Sequence, residues 1–219
     1  MKKYLLVSFI LFCSFLHSTS LKKMYDSAQP QDEFQKYIIL ETGVTYTGGL
    51  LIGKTLNPIN HLLQGNEGLN VKIVGNGAIL DLEGSQICIS YCNNILEIED
   101  CIILNGNIRF RGINSDTATQ IPTGNVKYVT FYKPHDYAIR LQGTGGGIVL
   151  DRNLAVDAIN TGFDFLFING TANSWLPTGI NFAPSIQAGF YGTPEITNNW
   201  SYFSKESENI DPLKHFTFL

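Results

Sequence analysis

Charge is scarce in this sequence: Asp, Glu, Lys and Arg make up 16% of its 219 residues. Acidic residues outnumber basic ones by 19 to 15, so the chain lacks the positive charge of a nucleic-acid-binding protein and we expect no such partner. A helical repeat of apolar residues and the Cys and His spacings of zinc sites are also missing. These absences argue against a helical bundle or a metal-binding motif and favour a globular β-rich domain.

Long apolar runs are missing too, except at the N-terminus. Lys2 and Lys3 precede an apolar stretch from Tyr4 to Leu16, and small polar residues follow it. This order is typical of a secretory signal peptide, which we assign to residues 1–20. The stretch is too short to span a bilayer, so we expect a secreted or periplasmic product without a transmembrane segment. An uncleaved membrane anchor is the alternative.

Cysteine is equally rare. Beyond the predicted signal peptide the chain contains only Cys88, Cys92 and Cys101. An odd number of cysteines, clustered so closely, does not build a disulfide framework for a chain of this length. One disulfide with one free thiol, or three buried thiols, are both compatible with the spacing.

Short β-rich segments punctuated by Asn and Gly are abundant, and they recur with a period of roughly 22 residues. Both recurring series lengthen at the same place, where the polar stretch 113–124 indicates a protruding loop. A third strand fits between them at Ile79–Leu82 and Ile102–Leu104. The equivalent positions are Val71, Ile95, Val126 and Ile148 in one series and Ile87, Ile108, Ala138 and Asp164 in the other.

Three short strands per turn describe a solenoid whose coils bury one another's apolar faces. The segments NVKIVGNGAILDLEG (70–84) and NNILEIEDCIILNGNIRFRG (93–112) resemble the right-handed parallel β-helix proteins of the pectin-lyase-like superfamily. The resemblance implies an all-β fold of about four to five coils. An antiparallel sandwich is the alternative. We predict a β-helix over residues 37–170, an N-terminal cap over 21–36 with a short helix at Gln31–Lys36, and an irregular aromatic extension over 171–219.

Strand alternation predicts a surface rich in arginine. If Ile108 and Phe110 face the interior, Arg109 and Arg111 face solvent, and the period places Arg140 beside Arg111 on the next coil. Further along, it places Asp164 on the following coil and Asp136 at the entrance of the strand that carries Arg140. The substrate-binding candidates are therefore Arg109, Arg111, Arg140 and Asp164, and the catalytic candidates are Arg140, Asp136 and Arg111.

Guanidinium groups bind carboxylates, and an arginine held among other cations can remove the proton beside a uronate carboxylate. With the predicted signal peptide, this surface indicates a secreted polysaccharide-active protein, either a lyase or a glycoside hydrolase on acidic glycans. The alternative is a non-catalytic module that binds or adheres to glycans. We expect a monomer without a cofactor; calcium is an option that no motif supports. The Gly-His-Gly and Arg-X-Pro-X-X-Arg strings of polygalacturonase-like and pectate-lyase-like members do not occur.

Three other patterns carry weaker functional hypotheses. Residues 48–55 match the G-X-X-X-X-G-K-T phosphate loop, although their apolar centre predicts a strand. Two acidic groups, Asp81 with Glu83 and Glu97 with Glu99, have the residue types of a hydrolase or calcium site, but the period places them on different faces. Asn169 and Asn199 begin glycosylation sequences, and Trp175 and Trp200 offer rings for sugar stacking.

Overall fold

The computed structural model describes residues 18–59, 62–115, 118–134, 138–144, 146–156, 195–197 and 200–202. Strands dominate this part of the chain because β-branched and aromatic residues alternate with polar ones. Its elements, in chain order, are β1 (Thr19–Ser20), α1 (Leu21–Ser27), β2 (Gln29–Gln31), β3 (Phe34–Ile39), β4 (Thr45–Thr47), β5 (Leu50–Gly53), β6 (Thr55–Leu56), β7 (Leu63–Gln64), β8 (Val71–Asp81), β9 (Gln86–Ser90), β10 (Ile95–Leu104), β11 (Asn107–Arg111), β12 (Ile113–Ser115), β13 (Ala118–Gln120), β14 (Thr123–Tyr132), β15 (Ile139–Gln142), β16 (Ile148–Asp151), β17 (Leu154–Val156), β18 (Glu195–Thr197) and β19 (Trp200–Tyr202).

Most strand pairs are parallel. β8 pairs with β3 and β4 on one side and with β10 on the other, and β14 and β16 continue the same sheet. A second sheet has the order β5, β9, β11, β15, again with every pair parallel. Neighbouring strands are thus one coil apart in sequence, which makes the fold an all-β parallel solenoid and excludes the antiparallel sandwich. Its right-handed winding stays a prediction.

Each coil has three faces because the long strands bend around a left-handed residue. Asn76, Asp100 and Tyr128 have φ of 50°, 56° and 55° inside β8, β10 and β14, and Arg152, between β16 and β17, has φ of 51°. These left-handed residues stack at one corner of successive coils. We call the segments before the bend face 1 (71–74, 95–99, 123–127 and 148–151), those after it face 2 (78–81, 101–104, 129–132 and 154–156), and the second sheet face 3 (β5, β9, β11 and β15).

The core is a stack of side chains in which each row repeats one position in successive coils. Strand alternation turns every second residue inward, and the register aligns these residues along the solenoid. Burial of each large apolar side chain contributes about 1.5–3 kcal/mol, so this stack is the main source of stability. The buried rows include Ile73, Ile98, Val126 and Leu150 from face 1, Leu80, Ile103, Phe131 and Ala155 from face 2, and Ile52, Ile89, Phe110 and Leu141 from face 3.

The N-terminal cap differs from the prediction. The helix lies at α1, where Leu21 is fully buried in the core, and not at Gln31–Lys36. Residues 31–36 instead contain the end of β2, a turn and the start of β3. Phe34 and Ile38 are both buried, and their spacing of four fits one face of a helix as well as one face of a strand. The parallel pairing of β3 with β8 shows that this segment is a strand.

Two antiparallel hairpins leave the solenoid at the same corner, between face 3 and face 1. The first, β6–β7, follows β5; the second, β12–β13, follows β11 within the insertion predicted at 113–124. Between them, β9 and β10 are joined by the short turn 91–94. We call this edge the hairpin corner, and it borders the C-terminal ends of the face 3 strands.

The stack continues beyond residue 170. β18 pairs in parallel with β16, and β19 pairs in parallel with β17, so both belong to the solenoid sheets although they lie within the predicted extension 171–219. The described part of the chain contains no helix that is long and apolar enough to span a bilayer.

Candidate functional site

The outer side of face 3 brings the predicted arginines together. Ile108 and Phe110 are fully buried, so Arg109 and Arg111 point outward from β11 as predicted. The register differs in detail: Arg109 lies opposite Arg140 of β15, and Arg111 lies opposite Gln142. The prediction that Arg111 is the direct neighbour of Arg140 is therefore wrong. The neighbour is Arg109, the preceding outward residue of β11.

Arg109 lies at the centre of this cluster. Its terminal nitrogen donates a hydrogen bond of 2.6 Å to the side-chain oxygen of Gln142. Partial burial lowers the pKa of the Arg109 guanidinium, and the positive charges of Arg111 and Arg140 lower it further. The cluster is therefore a concentration of like charge in a partly desolvated place, which favours an anionic partner.

Arg111 extends towards the neighbouring coil. Its guanidinium carbon lies 5.0 Å from the ring centre of Tyr91, the residue that follows β9. Tyr91 is almost fully buried and adopts a φ of 48°, which is uncommon for a residue with a bulky side chain. This cation–π contact holds the guanidinium of Arg111 over the ring.

Two arginine nitrogens on face 3 have unmet hydrogen-bonding capacity. The Nε atoms of Arg109 and Arg111 are buried and have no hydrogen-bond partner, and the same holds for Oγ of Ser90. Neither arginine forms a salt bridge with any carboxylate in the described part of the chain. Buried donors are normally satisfied, so these three atoms are unusual.

Cys88 and Ser90 occupy outward positions of β9 but are only 1% exposed. Cys88 lies opposite Arg109 and Ser90 opposite Arg111, so the long arginine side chains are placed to cover them. Burial raises the pKa of the Cys88 thiol to about 11, although Arg111 and Arg109 act in the opposite direction. Cys88 is therefore not a nucleophile at neutral pH.

All three described cysteines are free and buried. Of the two arrangements that the sequence left open, three buried thiols is the correct one. Burial also raises the pKa of the thiols of Cys92 and Cys101. Their role is to fill the interior as small apolar side chains.

The acidic groups lie on other faces, as the period predicted. Lys72 forms ion pairs of 3.1 Å with Glu97 and 3.2 Å with Glu99 on face 1. Asp81, on face 2, accepts hydrogen bonds from the backbone N–H of Glu83 and from the side chain of Asn105, each 3.0 Å long. Both groups therefore have structural partners. No cluster of three or more metal-ligating side chains occurs among the described residues.

The strand predicted for the apolar centre of the phosphate-loop match is confirmed. Residues 50–53 form β5, which is paired in parallel with β9, and β6 follows at Thr55. A phosphate loop needs a helix to begin there, so that successive backbone N–H groups surround the phosphate. A strand directs alternate N–H groups sideways to its neighbours and cannot do this.

Several predicted functional residues lie outside the described part of the chain. Asp136 and Asp164 are among them, as are the residues 1–17 of the predicted signal peptide. Their roles stay predictions. The same applies to the glycosylation acceptors Asn169 and Asn199.

Tyr91, Ser90 and Gln142 are members of the cluster that the sequence analysis missed. The outward position of Gln142 could have been predicted from the sequence, because Gln142 follows Arg140 by two positions and strand alternation places both on the outer side. The positions of Tyr91 and Ser90 beside Arg111 could not have been predicted in this way, since they depend on the register between β9 and β11.

Comparison with known proteins adds no relative: no protein-family model, no curated protein and no solved structure matches this chain. The likeness to the pectin-lyase-like superfamily therefore stays an interpretation of the coil pattern.

Proposed function

We propose that this protein is a secreted polysaccharide-binding protein that holds acidic glycans on the outer side of face 3. The observation that carries the proposal is the arginine cluster, in which Arg109 and Arg111 lack a carboxylate partner in the described part of the chain. Secretion rests on the signal peptide predicted at residues 1–20, of which the last two, Thr19 and Ser20, form β1 and pair with β4 in the structure. An extracellular ligand with repeated negative charge suits both features.

The geometry of the strands favours a polymeric ligand. Arg109 and Arg140 are aligned across adjacent strands, whose spacing is about 4.8 Å, and Arg111 lies two residues along from Arg109, about 6.8 Å away. Anionic groups along a glycan chain can thus meet more than one guanidinium at once. Such contacts are charge-assisted and weaken as salt screens them.

The test is binding of the full chain to a panel of acidic and neutral polysaccharides, with polygalacturonate as the first acidic member. We expect Arg109→Gln to weaken binding of polygalacturonate about tenfold, the value of one charge-assisted hydrogen bond. Lys23→Gln is the matched control, because it removes one positive charge from the exposed side of α1. Equal retention of neutral and acidic polysaccharides, or equal losses in the two variants, contradicts the proposal.

A second candidate function is cleavage of a uronate polymer by elimination. The position of Arg109 beside Arg111 and Arg140 favours it, because these cations and partial burial lower the pKa of its guanidinium and an elimination needs a base. Arg109 would take the proton beside the uronate carboxylate, the electron pair would form the C=C bond, and the departing sugar oxygen would take a proton from water. Glycoside hydrolysis is less favoured, since it needs two carboxyl groups and the outward positions of the described face 3 strands hold none.

Absorbance of unsaturated products distinguishes this candidate from binding alone. A lyase releases them from polygalacturonate at a rate that Arg109→Gln abolishes while the fold is kept. Binding without any such absorbance, in the presence or absence of calcium, rejects the catalytic candidate and retains the binding function.

A further inference from the structure

The unpartnered donors of face 3 are concentrated on two neighbouring strands. Ser90 of β9 is aligned with Arg111 of β11, and Arg109 precedes Arg111 by two residues on the same strand. Their buried atoms without a partner are the Ser90 Oγ and the two arginine Nε atoms. The spacings of a sheet place the backbones of these residues about 5–8 Å apart, and their side chains are long enough to reach a single small group.

These three groups share one chemical requirement. Each guanidinium Nε is a donor only, and the Ser90 hydroxyl can donate as well. The two Nε atoms therefore lack acceptor oxygen, which an anion can supply, and the Ser90 hydroxyl can donate to the same anion. Two other buried atoms without a partner, Asn107 Oδ1 and Gln120 Oε1, are acceptors and cannot serve an anion.

The number and direction of the donors select among anions. A planar carboxylate has two oxygens, and a single guanidinium satisfies both in a bidentate pair. Here the side chains of Arg109, Arg111 and Ser90 approach from two strands, with Arg140 on a third. A sulfate or phosphate ester presents three free oxygens in a tetrahedral arrangement, which accept hydrogen bonds from several directions.

We propose that this cluster is a subsite for a tetrahedral oxyanion ester, so that the ligand of face 3 is a sulfated or phosphorylated glycan and not a purely uronic one. The inference rests on the proposed function, because it names the ligand class of the same surface. The contact of Arg111 with Tyr91 supports it, because it holds the guanidinium in place on the strand position opposite Ser90.

The test compares polymers that differ only in the anionic group. Dextran sulfate, dextran phosphate and carboxymethyl dextran, matched in length and degree of substitution, are titrated against the full chain at one ionic strength, with unmodified dextran as the blank. We expect the sulfate form, the phosphate form or both to bind about tenfold more tightly than the carboxymethyl form. Comparison of the first two identifies which ester is preferred.

Variants that keep the charge locate the preference. Arg111→Lys retains the positive charge but loses the planar fork, and we expect it to reduce the preference for the ester from about tenfold to about twofold. Ser90→Ala removes one donor and is expected to reduce it about threefold. Lys23→Arg on α1 is the control and should leave the preference unchanged. Thermal unfolding of each variant verifies that it is folded, and Arg109→Lys replaces any variant that is not.

Each outcome bears on a different statement. Equal or tighter binding of carboxymethyl dextran overturns the oxyanion subsite and leaves the proposed acidic-glycan binding intact. A preference that survives in both Arg111→Lys and Arg109→Lys overturns the location. Failure of all three charged dextrans to bind overturns the subsite and the proposed function together.

Discussion

The outer sides of face 1 and face 3 are built on the same coils but arrange their charges in opposite ways. On face 1, Lys72 lies directly opposite Glu97 and also pairs with Glu99, while the side chain of Asn125 donates to Glu97 from the next coil. On face 3, Arg109 lies directly opposite another arginine, Arg140. Face 1 pairs these charges within the protein, whereas the outward positions of the described strands β9, β11 and β15 carry charges of one sign.

The difference follows from the register of a parallel solenoid. Because equivalent positions lie one strand spacing apart, residues in one row contact each other whether or not their charges match. Opposite charges in a row stabilise the stack, whereas like charges are destabilising. Face 1 can therefore be explained by folding alone. Among the described residues, Arg109 and Arg111 have no carboxylate partner, and a ligand is the explanation that we propose for them.

The largest expected effect comes from truncating the core side chain that lies beneath the arginines of face 3. Phe110 is fully buried and lies between Arg109 and Arg111 on β11. Phe110→Ala should lower the free energy of unfolding by about 3–5 kcal/mol, because it deletes a large core side chain and leaves a cavity. Chemical denaturation measures the change. A loss below about 1 kcal/mol would mean that face 3 does not share the common core.

The next largest expected effect on stability comes from removing the lysine of the face 1 ion pairs. Lys72→Met should lower the free energy of unfolding by about 1 kcal/mol at pH 7, because Glu97 and Glu99 would lose their common partner in a half-buried site. Denaturation of both proteins between pH 7 and pH 12 measures it. A variant as stable as the parent chain would show that these ion pairs contribute nothing.

The pH dependence of that effect has a defined sign. Burial lowers the pKa of Lys72, but the hydrogen bonds and charges of Glu97 and Glu99 more than offset this and raise it above 10.5. The folded state thus holds the proton more tightly than the unfolded state. The contribution of Lys72 is fully present below the unfolded pKa of about 10.4 and is lost as the pH rises through the folded pKa. The two proteins should therefore converge in stability only in strong alkali.

The smallest effect has the opposite sign and is specific to face 3. Arg109→Gln should raise the free energy of unfolding by about 0.5 kcal/mol, because it removes a cation that Arg111 and Arg140 repel and a buried donor without a partner. It should at the same time weaken glycan binding. Thermal unfolding at low salt measures the gain, with Lys23→Gln as the matched control. A clear loss of stability would show that Arg109 supports the fold and would break the contrast between the two faces.

Much of the fold was predictable because the interior repeats. Alternating apolar residues identified Ile108 and Phe110 as inward and Arg109 as outward, and the structure confirms this. The third strand at Ile79–Leu82 is aligned with Ile102–Leu104 as predicted. Both successes depend on local alternation within one strand, which the sequence states directly.

Register between coils was harder because corners differ in length. Three residues, 75–77, form the bend in β8, whereas Asp100 alone forms it in β10. The prediction placed Arg111 beside Arg140, while the structure aligns Arg109 with Arg140, which is a slip of two residues along β11. Corner length depends on left-handed backbone at non-glycine residues, which sequence patterns hardly indicate.

The hairpin corner has a consequence for how such a protein can change. This corner accommodates the turn 91–94 and two hairpins of different length, while β5, β9 and β11 keep an unbroken register. The bend between face 1 and face 2 varies less in length, because a left-handed residue of each coil stacks there. Surface loops can thus be lengthened, exchanged or grafted beside Arg111 while the scaffold stays the same, so ligand preference and fold can evolve as separate modules.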